Sequence, residues 1–470
     1  MPVRTSVRVL DALTILSTAC ALALATFGAF RDFVMGVIVD VRWTHAAFAA
    51  LALTLVRHTL VHSPSLLASV RSSWAARASR PALRDAMLAF WLTRPTVLLV
   101  GLLAVTAIGA APSSTASIGR DAVATLPARF DSGWYAGIAY EGYEWQHRFD
   151  RQQNLAFFPA YPMLMRAAGA VIGDGDSPAR DDHILRYTWA GLFISLAAFF
   201  WGAWYLSRIA RELLDDERAT SAVLLLAAYP FAIFYSAAYT ESLFLLCAAG
   251  AWYHFRHAQW LPAALFGVVA GLSRPNGFFL SVPLALLALG VRDAGPVSAP
   301  DTPSRQPIRP IALAVAAMPA VGMLIFTVYV YQLTEIWFAW ARMHGAWGRS
   351  FSAAHVSFAP TGSTAGLLQL AAAQPFQALN TLGLAFALSL VWPVWRKLGP
   401  AWSVFVLVNV LPPLAAGGVL SMGRVTATLF PLFLALAAIT SSRTATAWAA
   451  LFALLQGLAA VLFFTWRELF

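Results

Sequence analysis

Apolar runs of roughly 16–24 residues recur along the chain, matching the length an α-helix needs to cross ~30 Å of hydrocarbon. In that medium every backbone N–H and C=O must find a partner inside the protein, so only helices or a closed barrel remain open to such a chain. A barrel would show ~10-residue segments of alternating polarity, and the runs here do not alternate. Hydrophobic residues make up 59% of the 470 and charged residues 11%, more apolar surface than one soluble core can hide. The sequence therefore predicts an all-α, polytopic membrane bundle of about 13 transmembrane helices. The candidate spans are 9–30, 44–62, 89–110, 183–208, 219–235, 239–255, 260–274, 276–291, 310–332, 377–396, 400–419, 424–441 and 445–466. The first follows Met1-Pro2-Val3-Arg4 like a signal peptide. Its length and the spans behind it favour an uncleaved first helix.

Basic residues outnumber acidic ones, 32 to 22, and all but Lys397 are arginines. They are scattered over short loops, not gathered in a stripe, so positive-inside bias explains them better than nucleic acid does. The segment from Ser63 to Leu88 carries Arg71, Arg77, Arg80 and Arg84 against Asp85, which marks it cytoplasmic. Alternating from there puts Arg208, Arg211 and Arg218, the His254–His257 turn, Arg396-Lys397 and Arg443 on the same side. The long segments 111–155 and 333–375 fall on the outer side, with the joints at Tyr239, Arg274 and Gly423. Residues 1–88 read as an added helix pair with a basic linker, and 89–470 as one bundle. Cys20 and Cys247 both sit in apolar runs, which gives no basis for a disulfide framework or a cysteine metal site.

The unusual polar residues form four clusters. In Arg129-Phe130-Asp131-Ser132-Gly133-Trp134-Tyr135, Asp131 opens an amphipathic stretch whose Trp and Tyr suit the headgroup level, so an interfacial helix is expected. Asp131 reads either as an N-cap or as a general base that takes a proton from an acceptor hydroxyl. The second cluster, Asn154 to Pro162 with Tyr161, holds two prolines in an aromatic run, fit for a carrier groove or a re-entrant packing element. The third comprises Tyr239-Thr240-Glu241-Ser242 and Ser273-Arg274-Pro275-Asn276-Gly277. Arg274 is either a phosphate ligand or a snorkelling side chain, and Glu241 either a sugar ligand or a partner of a helix N-terminus. The fourth holds Trp347 and Arg349, then Arg424 after Ser421-Met422-Gly423. Trp347 offers a stacking face, while the two arginines are phosphate ligands or interfacial anchors. His147 near Asp150 reads as a solvated loop histidine, with no metal-ligand spacing around it.

These strings, in order from about Asp121 to Arg424, resemble the GPI mannosyltransferase II (PIG-V-like) family of the GT-C glycosyltransferase superfamily, which has bacterial relatives. The resemblance implies a polyprenyl-phosphate-linked sugar donor, typically mannose. It also implies a lipid or glycan acceptor at the outer membrane face, and inversion at C1 with Asp131 in the position of the base. The matching substrate-binding candidates are Arg129, Trp134, Tyr135, Tyr161, Glu241, Arg274, Asn276, Trp347, Arg349 and Arg424. Metal dependence stays open, because some enzymes of that superfamily use a divalent ion and others none. Three features depart from the pattern: Phe130 where a Trp often stands, Pro275 after the arginine, and the helix pair in 1–85. The arginine bias points to a GC-rich bacterial genome, hence to a multi-pass inner-membrane protein with a cytoplasmic N-terminus and no GPI precursor to act on. A lipid-linked sugar flippase or transporter is the competing class, since short Pro/Gly-interrupted helices also suit a transport path. The one-sided gathering of polar residues speaks against it.

Overall fold

Helices take the place of the apolar runs almost one for one. The computed structural model describes residues 43–60, 81–111, 123–172, 179–291, 310–349 and 375–467, the strand residues 30–34 and 37–41, and Leu13, Thr14 and Ser17. Most of the expected first helix, residues 63–80 of the basic linker, and the loop 293–309 lie outside them. Before the bundle, β1 (Phe30–Val34) and β2 (Val37–Val41) pair antiparallel with Val34 opposite Val37. This hairpin follows from a run rich in β-branched residues and falls between two expected spans. Helix α1 (Trp43–Leu60) follows it.

The bundle then runs through α2 (Pro81–Ala107), α3 (Ser132–Glu141), α4 (Ala160–Ile172), α5 (Arg180–Leu213) and α6 (Asp216–Ala228). Next come α7 (Glu241–Arg256), α8 (Trp260–Ser273), α9 (Ser281–Ala288), α10 (Pro310–Ala316), α11 (Met318–Thr334) and α12 (Ala339–Met343). The last are α13 (Pro375–Lys397), α14 (Pro400–Gly417), α15 (Met422–Ala427), α16 (Phe430–Ile439) and α17 (Ser442–Phe464). Among the described residues five helices (α2, α5, α13, α14 and α17) are long and apolar enough to cross a membrane, and two bent pairs bring the number to seven. Several expected spans are shorter than the ~20 residues of a full crossing: α7 has 16, α8 has 14 and α16 has 10. The boundary expected at 88/89 falls inside α2. Asp85, expected in a loop, is buried there and accepts from Ser207 (2.6 Å), Thr220 (2.9 Å) and Arg211 (2.7 Å).

Helix α5 is the ruler of the molecule. At its start Arg180 pairs with Glu141 at the end of α3 (2.9 Å), and near its far end Arg211 holds Asp85. These positions are ~46 Å apart along the axis. Ser195, which donates to the Tyr239 carbonyl at 3.0 Å, is about half-way between them.

The chain breaks at Tyr229-Pro230, where α6 turns by 77° into a 3₁₀ segment, Pro230–Ser236. Proline there has no N–H for the helical ladder, and the bend leaves carbonyls to be satisfied in an apolar interior. Arg94, wholly buried in mid-α2, donates to Ala227 O (2.8 Å), Ala232 O (2.5 Å) and Ser236 Oγ (3.1 Å). Gln456 of α17 donates to Ala227 O and Tyr229 O, both at 2.9 Å. Elsewhere α8 and α11 meet backbone to backbone. A Cβ on Gly271 would stand 1.9 Å from Pro319 O, and one on Gly322 2.2 Å from Val268 O.

Replacing Arg94 with Leu leaves the Ala232 carbonyl without that donor, at ~1–3 kcal/mol for each orphaned buried group. The variant is expected to lose at least that much stability, measured as the unfolding temperature in detergent against wild type.

Candidate active site

Glu241 sits where four stretches of chain meet. It opens α7 just beyond the 3₁₀ bend, is 0% exposed, and receives two arginines from opposite directions. Arg274 ends α8 in an extended conformation, because Pro275 stops the helix behind it. Its Nη1 lies 3.1 Å from Glu241 Oε1. Arg424 comes from α15, which starts after Ser421 in the left-handed region (φ 61°). Its Nε donates to Glu241 Oε1 at 2.9 Å and its Nη1 to Asp131 Oδ2 at 2.6 Å. The guanidinium also lies over the rings of Tyr239 (4.7 Å) and Phe234 (5.1 Å), a favourable placement for a desolvated cation.

This geometry bears on the reading of Asp131 as an N-cap. The residue precedes α3 but its side chain makes no capping hydrogen bond; the carboxylate goes to Arg424 instead. Its backbone is pinned separately: the Asp131 N–H donates to Tyr239 Oη at 3.0 Å, and that hydroxyl donates to the Arg129 carbonyl at 3.2 Å. Phe130 takes a left-handed conformation (φ 47°), a costly one for a bulky L-residue, and its ring packs on Phe463 and Trp466. Packing on both sides thus holds a strained link that sets the direction of the acid.

Neither arginine fits a snorkelling or interfacial role, since Arg274 and Arg424 are each only 8% exposed. Removing two such charges from water costs several kcal/mol each unless they are paired, and Glu241 supplies the pairing. Among the described residues Glu241 Oε2 has no hydrogen-bond partner, and Arg274 Nη1, though 3.1 Å from Glu241 Oε1, makes no hydrogen bond. Arg349 adds a third positive charge near Arg424, Asp131 and Arg274. Burial and the neighbouring Arg424 lower its pKa to about 10, and its Nη2 donates to Leu420 O at 3.2 Å.

Aromatic residues line the other side. Trp134 stacks on Phe157 with ring centroids 5.7 Å apart, and Trp347 meets both edge-on at 5.8 and 5.6 Å. Tyr135 stands between Tyr161 and Tyr239. Three candidates have other duties. Arg129 donates to Phe464 O (2.7 Å) and Ala128 O (3.1 Å), so it ties the Asp131 loop to the end of α17 and differs from the substrate ligand expected. Tyr161 donates to Gly191 O (2.7 Å), and Asn276 to Asn409 Oδ1 (2.7 Å). Tyr239 was visible only as part of its motif, yet it fixes the acid's backbone. Among the described residues no group of three His, Cys, Asp or Glu is placed to hold a metal ion.

A family model described as Mannosyltransferase (PIG-V) matches residues 99–287. Over that segment the chain is similar to this family. The match supports a membrane glycosyltransferase of the mannosyltransferase kind, with a sugar donor and an acceptor. Asp131, Glu241 and Arg274 lie inside the matched segment, whereas Arg349 and Arg424 lie beyond it and reach the cluster through the fold. No curated protein matches the chain.

Glu241→Ala leaves two buried arginines short of their common carboxylate and is expected to cost ~3–5 kcal/mol, read as a lower unfolding temperature in detergent. A pH effect follows from His344, whose Nε2 is shut off from solvent without a partner among the described residues. Burial, helped by the charge of Arg349, pushes its pKa down from 6.5 to about 4. The depressed value means the unfolded chain binds this proton first, so stability present above about pH 6.5 is lost as pH falls towards 4. His344→Gln should show a smaller loss of unfolding temperature between pH 7 and pH 4.5 than wild type.

Proposed function

We propose that the protein transfers a sugar, mannose by its family likeness, from a polyprenyl-phosphate carrier to an acceptor hydroxyl, inverting C1 with Asp131 as general base. The observation that carries the reading is the Asp131 carboxylate, withheld from capping α3 and held 2.6 Å from a buried arginine. In the reaction the acceptor oxygen attacks C1, the C1–O bond to phosphate breaks, and its electron pair leaves with the phosphate. The acceptor's proton passes to Asp131. Arg424 holds Oδ2, which leaves Oδ1 to take that proton.

Charge bookkeeping supports this assignment. Asp131 and Glu241 with Arg274, Arg349 and Arg424 sum to one positive charge, matched by the single negative charge of a glycosyl phosphodiester. On transfer the departing phosphate gains a negative charge just as Asp131 is neutralised, so the cluster's balance is kept through the step. Fixed charges aimed at the leaving group act strongly in a dry site. The guanidinium of Arg274, ion-paired with Glu241, is the group assigned to a phosphate oxygen, and Glu241 orients both arginines. The carrier's prenyl chain lies among the helices, the acceptor arrives from the outer face of a bacterial inner membrane, and the residues that precede α2 form an accessory unit.

Asp131→Asn keeps the shape of the side chain but removes the base. With radiolabelled polyprenyl-phosphate mannose and a membrane-extract acceptor pool, in lipid nanodiscs, the variant should lose on the order of 10²–10⁴-fold in transfer while still binding carrier. Full transfer by the variant would remove Asp131 from the mechanism.

A further inference from the structure

Helix α5 carries no Asp, Glu, Lys or Arg from residue 187 to residue 207. The rise from Arg186 to Arg208 is ~33 Å, close to the ~30 Å of a bilayer's hydrocarbon core. Arg208 therefore stands at headgroup level, at the end of α5 away from Glu141.

The helix face that leads to it is aromatic. Trp201, Trp204, Tyr205 and Arg208 follow the i, i+3, i+4, i+7 spacing of one face. Trp201 and Arg208 are exposed, while Trp204 and Tyr205 are half-buried. The Arg208 guanidinium lies over Tyr253 of α7 at 4.4 Å and over Trp204 at 5.0 Å. Tyr205 braces both rings, with centroids 4.8 Å from Trp204 and 5.7 Å from Tyr253, and its hydroxyl is hydrogen-bonded to His254 Nε2 at 2.8 Å. The cation is thus seated on a fixed aromatic bed.

An acid is missing from this setting. Among the described residues no carboxylate pairs with Arg208, whereas its neighbours are taken. Arg211 holds Asp85, and Glu212, one turn beyond Arg208, is engaged by Arg256 at 2.8 Å and His257 at 3.2 Å. With the histidines neutral, Arg208, Arg256 and Glu212 sum to one positive charge. A guanidinium held flat on rings and left without an acid presents its fork to a phosphate. The flanks suit a phosphate that carries acyl chains. Trp201 is exposed one turn towards the middle of α5, and α8, whose Phe266 meets Tyr205 edge-on at 5.4 Å, exposes Leu261 and Leu265.

We infer that Arg208, Trp204 and Tyr253 form a headgroup site for a phospholipid of net negative charge. Its phosphodiester rests on the guanidinium, and its acyl chains run along Trp201 towards the middle of α5. This lipid site stands whether or not Asp131 is a base.

The test titrates the whole chain in detergent with dihexanoyl-phosphatidylglycerol and reads bound lipid by native mass spectrometry. Dihexanoyl-phosphatidylcholine and inorganic phosphate are the comparison ligands. Wild type should prefer the glycerol lipid to the choline lipid by ~10-fold or more, and Arg208→Gln should lose as much of that affinity, the worth of a hydrogen bond to a charged group. Trp204→Leu keeps the charge but removes half of its bed, and should weaken binding about twofold to fivefold. Arg396→Gln takes the same charge from the end of α13 and should leave the affinity within about twofold, since salt screens distant charges. Unfolding temperature and gel filtration without lipid report that each variant folds. Equal binding of the two lipids, or an unchanged affinity in Arg208→Gln, would overturn the site. An equal loss in Arg208→Gln and Arg396→Gln would reduce it to bulk attraction and overturn it too. Inorganic phosphate at the lipid's concentration should displace none of it; full displacement would leave an anion site with no lipid specificity and overturn the inference.

Discussion

Backbone polar groups cannot be left bare in hydrocarbon, and the broken helix at Tyr229-Pro230 is where this protein meets that constraint most sharply. The turn of 77° would be unaffordable without Arg94 and Gln456, which come from two different helices to satisfy the freed carbonyls. Because that bend is held, the chain can run on through Ser236 and place Tyr239 and Glu241 deep beside mid-α5. Every other part of the charged cluster is arranged around those two residues. The arginine in mid-α2 is thus structural, and it makes the functional acid possible.

The cluster itself joins distant stretches of sequence through one side chain. Arg424 reaches Asp131 with one nitrogen and Glu241 with another, so the acid of the first long loop and that of α7 answer to the same guanidinium. Arg274 shares Glu241 with it, and Arg349 adds its charge from the late loop. The cluster holds more cation than anion, and Arg274 and Arg424 are both buried. Glu241 Oε2 has no hydrogen-bond partner among the described residues.

Much of the helical plan was legible because hydrophobic runs report burial in lipid directly: the spans expected at 183–208, 400–419 and 445–466 reappear within a few residues as α5, α14 and α17. The hairpin at 30–41 was not, since short β-branched runs between spans look like the edges of helices. The beginning of α2 was placed late because Arg84 and Asp85 read as loop charges until Ser207, Thr220 and Arg211 are seen around the acid. At the site, residue types pointed to Asp131, Glu241, Arg274 and Arg424, but local sequence could not separate a cap or an anchor from a working group. The pairing across some 290 positions of chain shows that Asp131 is no cap and Arg424 no interfacial anchor. Arg129 shows the converse, a motif arginine whose donors go to main-chain carbonyls.

Those bonds from Arg129 have a consequence for how the protein is made. They clasp the Asp131 loop to Phe464, while Trp466 lies beneath the same guanidinium and Ala111 N–H reaches Thr465 O. The loop emerges from the ribosome well before the residues that seat it, which come some 330 positions later. Until α17 is threaded and docked, Phe130 has no packing to hold its left-handed turn and the carboxylate has no fixed direction. The setting of Asp131 is therefore completed in one late step, once α17 has docked beside α2.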